Sequence, residues 1–320
     1  MITISQAKAE WLGSVGASRS QATYKTYKTA AAIFEQMLSA EKIKMSAGVD
    51  KLSERHVGKF ALFLKDGSIA REQCYMTAIN RFYHFLCAEE YASFNMEKVA
   101  DLIHSRSRRA RMRAPEFPMM EIQRVLKDLG TLPRPASKAG ALRLLRDIAL
   151  ILTLADTGLR IHEACNLKRG DLAADRSAVV IGKGDKQAKI FFTRRSARAI
   201  NQYLRARLEF DGQTGRPLSS LPLFARHDKA IGRKIEKITP QAGRDIIDKR
   251  VAQILGDNLS GITPHKFRHA FVTAIMQKSG GNLKLAQELA RHSNIQVTQR
   301  YAHLSNQDLQ IGHRKVFEDG

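Results

Sequence analysis

Cysteine is scarce in this sequence: Cys74, Cys87 and Cys165 are an odd number, widely spaced, with no Cys-x-x-Cys pair. That excludes a disulfide framework and gives no zinc-ligand pattern, so the three read as small buried hydrophobes. No run of about 18 apolar residues exists, so a membrane span is not expected. The opening "MITISQAKAEWLG" also lacks the basic, apolar and small-residue succession of a signal peptide. A cytoplasmic chain with no membrane partner follows. Acidic residues are the remaining shortage, with 31 Asp plus Glu against 53 Lys plus Arg, a formal net charge of +22. The simplest partner for such a charge is a nucleic acid. A membrane-surface protein would gather its basic residues on one amphipathic helix, whereas here they are spread along the whole chain.

What is present is enough for a sizeable core. With 320 residues, 43% of them hydrophobic, the chain has room for two domains. Residues 19–38 place Tyr24, Tyr27, Ala31, Phe34 and Leu38 at helical spacing, with Ser18 or Ser20 as a cap. Residues 53–65 repeat the pattern with Val57, Phe60, Ala61 and Leu64 until Asp66-Gly67 stops it. Residues 70–90 carry Met76, Ile79, Tyr83 and Leu86 on one face. With a shorter helix near residues 4–12, residues 1–104 read as a compact all-helical domain whose aromatics form its core.

Next comes "HSRSRRARMRAPEFP", residues 104–118, in which Arg106, Arg108, Arg109, Arg111 and Arg113 precede Pro115 and Pro118. Like charges repel and proline breaks helices, so residues 105–117 read as an extended linker. Two readings stand for its arginines: a solvated run, or DNA-binding residues that lie against a phosphate backbone and displace counterions.

From residue 118 to 320 the chain reads as a second domain. Helical patterns fall near 118–129, 141–157, 160–168, 196–210, 240–255, 264–278, 283–291 and 295–303. One β signal interrupts them: "SAVVIGKGDKQAKIFFT", residues 177–193, has apolar β-branched and aromatic runs on either side of Gly182 to Gln187, the chemistry of a hairpin. The expected fold is mainly α with a small antiparallel β-sheet, in two domains.

Several charged residues sit at structural punctuation. In "LADTGLRIHEACNLKRGDL", Gly158 suits the left-handed residue that ends a helix, and Arg160 falls where the next begins. A cation there opposes the helix dipole, a penalty that something else must offset. Glu163, three residues on, is within reach of a neighbouring helix end or basic group. In "GITPHKFRHAF", Thr263 is a good N-cap and Pro264 a good first-turn residue, so His265 and Arg268 lie on one face near a helix start, a place suited to phosphate. Finally, His292 stands nine residues before Tyr301. Each signal alone has a bland reading as a surface ion pair or a packed ring.

Taken together, Gly158-Leu159-Arg160 with Glu163 and Leu167, a lysine at Gly182-Lys183-Gly184, His265-Lys266-Phe267-Arg268-His269, and the His292–Tyr301 pair resemble the tyrosine recombinase, or phage integrase, family. The helical first domain is similar to the core-binding domain of Xer-like and simple mobile-element recombinases. No separate amino-terminal domain is evident, so an arm-site-binding integrase is the less expected type. Two departures stand out: Phe267 replaces the usual leucine, and Arg291 takes the place of the glycine before His292.

The resemblance implies a site-specific recombinase that breaks and rejoins DNA through a 3′-phosphotyrosine and a Holliday junction, as a homo-tetramer on two double-stranded DNA sites. It would need no cofactor, metal or ATP, and would act on the nucleoid. Tyr301 would be the nucleophile, and Arg160 and Arg268 would contact the phosphate oxygens in bidentate geometry. A phenol with a pKa near 10 needs a base, a role that falls to His265. Lys183 would protonate the leaving oxygen, with Lys186 as the alternative, because hairpin register is not set by sequence. His292 would hydrogen-bond the scissile phosphate, with Glu163 and His269 in support. The tail after Tyr301, with Leu309, Ile311, Val316 and Phe317, has two readings: it packs back on its own domain or, as the resemblance implies, docks on a neighbouring protomer and closes a ring. The competing readings are a type IB-like topoisomerase and a non-catalytic DNA-binding architectural protein. The second predicts loss of a catalytic position, and none is missing.

Overall fold

The computed structural model describes residues 2–108, 117–181, 187–228, 234–256, 261–292 and 294–299. Two compact units divide the chain, Met1–Pro115 and Glu116–Gly320. Among the described residues, no helix is long and apolar enough to cross a membrane.

Unit 1 is built from α1 (Ile4–Ser18), α2 (Gln21–Ala40), α3 (Glu54–Phe63), α4 (Ile69–Ala88) and α5 (Met96–Arg106). Hydroxyl and amide caps start them: Thr3, Ser20, Ser68 and Asn95 each accept from a backbone N–H in the first turn. The apolar stripes converge on Trp11, Phe34, Val57, Phe60, Ile79, Tyr83 and Leu86, all buried. Phe34 meets Phe60 edge-on at 5.2 Å, and the buried Tyr83 hydroxyl donates to the Ser53 carbonyl at 2.9 Å.

Helix α5 has no counterpart in the sequence reading, and its end departs from the expected linker. Arg106 is its last helical residue. Arg108 is not a free tether either: its backbone N–H and Nε reach the fully buried Glu72 carboxylate at 2.7 and 2.6 Å, and its Nη2 reaches the Gly67 carbonyl at 2.7 Å. Arg109, Arg111 and Arg113 lie outside the described residues. The cysteines also differ from expectation. Cys165 is buried, and that burial pushes its thiol up to about 11, but Cys87 is half-buried and Cys74 exposed on α4.

Unit 2 contains α6 (Met119–Asp128), α7 (Lys138–Thr157), α8 (Ile161–Asn166), strands β1 (Ser177–Ile181) and β2 (Gln187–Phe191), α9 (Arg194–Gly212), α10 (Pro240–Leu255), α11 (Pro264–Lys278), α12 (Leu283–Ala290) and α13 (Ile295–Gln299). The strands pair antiparallel, with Ser177 opposite Phe191, Val179 opposite Lys189 and Ile181 opposite Gln187. Ala178, Val180 and Ile190 face the core while Val179, Ile181 and Phe191 are exposed, the alternation of a sheet covered on one side. Helix α7 is the centre of this unit, buried at every position from Ala149 to Thr157 and packed against α9, α10 and α11. Ion pairs thread the core beside it. Asp147 takes two bonds from Arg146 (2.9 and 2.7 Å) and two from Arg250 (2.9 and 2.6 Å), and Asp211 takes Arg207 and Arg169.

Candidate active site

The site grows from three helix ends. Helix α7 stops at Gly158, whose φ of +60° is left-handed. A Cβ there would also run into the Phe271 ring, so glycine is required for conformation and for space. The chain turns at once into α8 with Arg160 as N-cap. An arginine cannot accept the free N–H groups of a helix start, so Glu163 supplies that function in reverse. Its carboxylate accepts from the Arg160 backbone N–H at 2.8 Å and from Nη1 at 3.0 Å. The penalty expected of a cation at this position is thereby offset. Only 2% of the Glu163 side chain is exposed, whereas Arg160 keeps 38% and remains open to a ligand.

The second end is the start of α11. Thr263 stands as N-cap and Pro264 opens the helix. His265 is exposed in the first turn, while Arg268 is buried and donates to the carbonyls of Gly158 and Ala290. One guanidinium therefore joins the ends of α7 and α12 to α11. The His265 ring lies 5.1 Å from His269, and His269 stacks on Phe117 at 6.0 Å.

The third end is the close of α12, where Arg291 adopts φ +56° and ψ +46°. The left-handed turn that glycine would make is thus kept by an arginine, a strained choice for a residue with a Cβ. Its guanidinium folds back onto the α7–α8 corner, reaching Glu163 Oε2 at 3.2 Å and the carbonyls of Gly158 and Thr157 at 3.3 and 3.4 Å. His292 follows. Its backbone N–H donates to Gln287 O at 3.1 Å, and its Nδ1 lies 2.8 Å from the Thr298 hydroxyl of α13, which orients the ring.

Electrostatics show that these residues form one group. The Glu163 carboxyl is raised by burial, yet the Arg160 N–H, Arg291 and the Arg160 side chain together bring it below its usual value. His265 is lowered by desolvation and then by the positive charges of Arg268 and Arg160. His292 is pushed down to about 4 by burial, then by Arg268, Arg160, His269 and Arg291. Both imidazoles are therefore held towards the neutral form, beside cations that favour an incoming anion.

The structure thus brings Arg160, Glu163, His265, Arg268, His269 and His292 into one neighbourhood. Lys183, Lys186 and Tyr301 lie outside the described residues, as does the tail from 303 to 320. The strands flanking the lysine turn are described, and Asp156 anchors their exit by accepting from the Thr193 hydroxyl and from Arg195 Nε at 3.0 Å. Sequence reasoning missed Arg291 as a builder of the site, and Thr298. The missing glycine was the signal for Arg291. Thr298, six residues past His292, fits no local pattern.

Residues 135–308 match the family model described as the phage integrase family. Tyrosine recombinase XerC of Treponema denticola is 29% identical over 297 residues, covering 91% of this chain and 90% of its own. The XerC of Staphylococcus aureus is 27% identical over 301 residues, with 93% and 90% covered. Among solved structures, the Tn1549 transposon integrase in complex with transposon right end DNA has a TM-score of 0.71 at 18% identity, covering 98% of this chain and 99% of that one. The XerH site-specific recombinase bound to palindromic difH substrate has a TM-score of 0.67 at 18% identity, with 91% and 79% covered.

Proposed function

The chain belongs to the phage integrase family, the tyrosine recombinases, and from that premise we propose that Tyr301 is the nucleophile with which this site-specific recombinase opens DNA. The Tyr301 oxygen attacks the scissile phosphorus, forming a 3′-phosphotyrosine as the bond to the 5′ oxygen breaks. His265 takes the phenolic proton and Lys183 gives one to the departing oxygen, with Lys186 as the alternative donor. Arg160 and Arg268 stabilise charge on the non-bridging oxygens, and His292 hydrogen-bonds one of them. Glu163 and His269 act as positioning groups. The released 5′-hydroxyl of one duplex then attacks the phosphotyrosine of another. The phosphodiester energy is conserved and no ATP is consumed.

On this reading four protomers bind two recombination sites and exchange strands through a Holliday junction, in the cytoplasm on the nucleoid. Arg106, Arg108, Arg109, Arg111 and Arg113 contribute to DNA affinity, Arg108 to the extent that Glu72 leaves it available. The observation that carries the proposal is that Arg268 bonds to Gly158 and Ala290 while Glu163 holds Arg160 and Arg291, which gathers the helix ends bearing Arg160, His265, Arg268 and His292. Gathered in this way, two guanidinium groups and two imidazoles form a receptor for a phosphodiester with a base ready beside it.

The test is a denaturing gel. The nicked duplex carries the site that the protein protects from nuclease. Wild type is expected to leave a covalent protein–DNA adduct, and Tyr301→Phe is expected to bind equally and leave none. An adduct formed by Tyr301→Phe would move the nucleophile elsewhere. Lys183→Ala is expected to regain cleavage when the bridging 5′ oxygen is replaced by sulfur, which leaves without a proton; rescue of Lys186→Ala instead would transfer the role.

A further inference from the structure

Helix α9 carries a second concentration of positive charge that the recombination chemistry does not use. Its inner face, with Ala199, Ile200 and Tyr203, is buried, and its outer face forms a cleft of about 430 Å³. Arg176, Arg194, Arg198 and Arg205 line it together with the carboxamides of Asn201 and Gln202, and no acidic residue is among its walls. None of these four guanidinium groups pairs with a described carboxylate. The contrast with the other arginine-lined hollows is sharp. The cleft of about 590 Å³ beside Arg143, Arg146 and Arg250 contains Asp147 and Asp245, which answer much of its charge locally.

A second observation points the same way. α9 has 19 residues and no acid in its first turn, and Arg194 is its first residue. Cations at a helix start oppose the dipole and add to the positive field of the free N–H groups. Thr193 caps the start and Asp156 pairs with Arg195, but Arg194, on the cleft side, has no such partner. Four guanidinium groups line one hollow without a carboxylate, an arrangement that an anion would stabilise.

We propose that this cleft binds the phosphate backbone of duplex DNA, outside the group of Arg160, His265, Arg268 and His292. Arg194 and Arg205 are eleven residues apart, about 16 Å along the helix at 1.5 Å per residue. One DNA strand presents a charge about every 3.4 Å of axis, so such a row spans several successive phosphates. Ala197 is the only apolar side chain on the walls. An acidic protein partner would need an aromatic or aliphatic anchor pocket, and the cleft has none. The proposal shares with the recombinase reading only that the protein works on DNA.

The test uses the full chain and a 40-base-pair duplex of arbitrary sequence, with affinity measured against salt. Arg194→Gln, Arg198→Gln and Arg205→Gln combined are expected to flatten the slope of log K against log salt by about 2 to 3, at roughly 0.9 per phosphate contact. The control replaces Arg124, Arg134 and Arg216, all exposed and none in the cleft, with Gln; it changes net charge equally and is expected to move the slope by less than about one contact. Equal flattening by both triples, or by neither, overturns the proposal. Polyglutamate that displaces wild type from DNA, but not the cleft triple, at equal charge concentration also overturns it, by making an acidic protein surface the occupant. The readout requires no cleavage, so failure of the tyrosine chemistry would show separately, as absence of adduct in every variant.

Discussion

Among the described residues, the buried side chains of Met1–Pro115 are aliphatic and aromatic with a single buried charge, Glu72, whereas those of Glu116–Gly320 include eight charged residues: Arg146, Asp147, Asp156, Glu163, Arg207, Asp211, Arg250 and Arg268. The first arrangement is the less demanding. Apolar packing holds five helices together without specifying the angle of any one side chain beyond its rotamer. The second is costly, because taking ions out of water has to be offset by good geometry and complete hydrogen bonding. What it provides is direction. An arginine–carboxylate pair sets where a helix end lies, and in unit 2 three helix ends meet at the candidate site.

The strongest way to break this comparison is to remove one carboxylate from each unit. Asp147→Ala leaves two buried guanidinium groups unpaired and is expected to cost unit 2 about 3–5 kcal/mol. Glu72→Ala in unit 1 is expected to cost less, about 1–3 kcal/mol, because Arg108 is one-third exposed and can turn to water. Denaturant unfolding followed separately for each unit would decide it, and equal losses would remove the distinction.

Glu163→Gln tests direction rather than stability. The shared carboxylate that holds Arg160 and Arg291 becomes neutral, and adduct formation is expected to fall about ten- to hundredfold, the ~1.5–3 kcal/mol of a charged hydrogen bond. DNA affinity is expected to hold, and a rate within twofold of wild type would show that the carboxylate positions nothing.

Arg291→Gly sharpens the point further. It relieves about 1 kcal/mol of left-handed strain while removing the clamp on the corner, so stability is expected to shift by no more than about 1 kcal/mol. Adduct formation is nonetheless expected to drop severalfold. In Glu163→Gln the same change is expected to add little, since both act through one ion pair. Full additivity in the double variant would mean that Arg291 acts by another route.

The smallest effect is in pH. In DNA-free protein the His292 ring is expected to titrate at about 4, which nuclear magnetic resonance can follow. Its folded pKa lies below its unfolded value near 6.5, so the unfolded chain takes up the proton first. The contribution to stability is full above pH 6.5 and is lost as pH falls towards 4. A midpoint near 6.5 would show that neither burial nor the cations act on the ring.

Much of this molecule is written locally. The 3.6-residue stripes of α2, α3 and α4, the alternation in β1 and β2, the Gly158 stop and the Thr263-Pro264 start are all readable because each depends on neighbours within a few positions. Arg160, Glu163, His265, Arg268 and His292 could be picked out for the same reason, since each stands near a helix start or stop. Helix α5 was lost because its apolar residues are few and its end runs into the arginine stretch.

Tertiary structure alone decided the remainder. Arg291 and Glu163 are 128 positions apart, and Arg268 and Gly158 are 110 apart. No periodicity records such a pair. The sequence by itself determined which elements form and which residues stand at their ends. Packing around α7 determined that three of those ends meet, that Arg291 turns inward onto Glu163, and that Arg160 keeps an open face. Hydrogen bonds along a helix depend on separations of four residues and leave a pattern in the chain; a guanidinium bridging two helix ends depends on distance through space, which exists only once the core has closed.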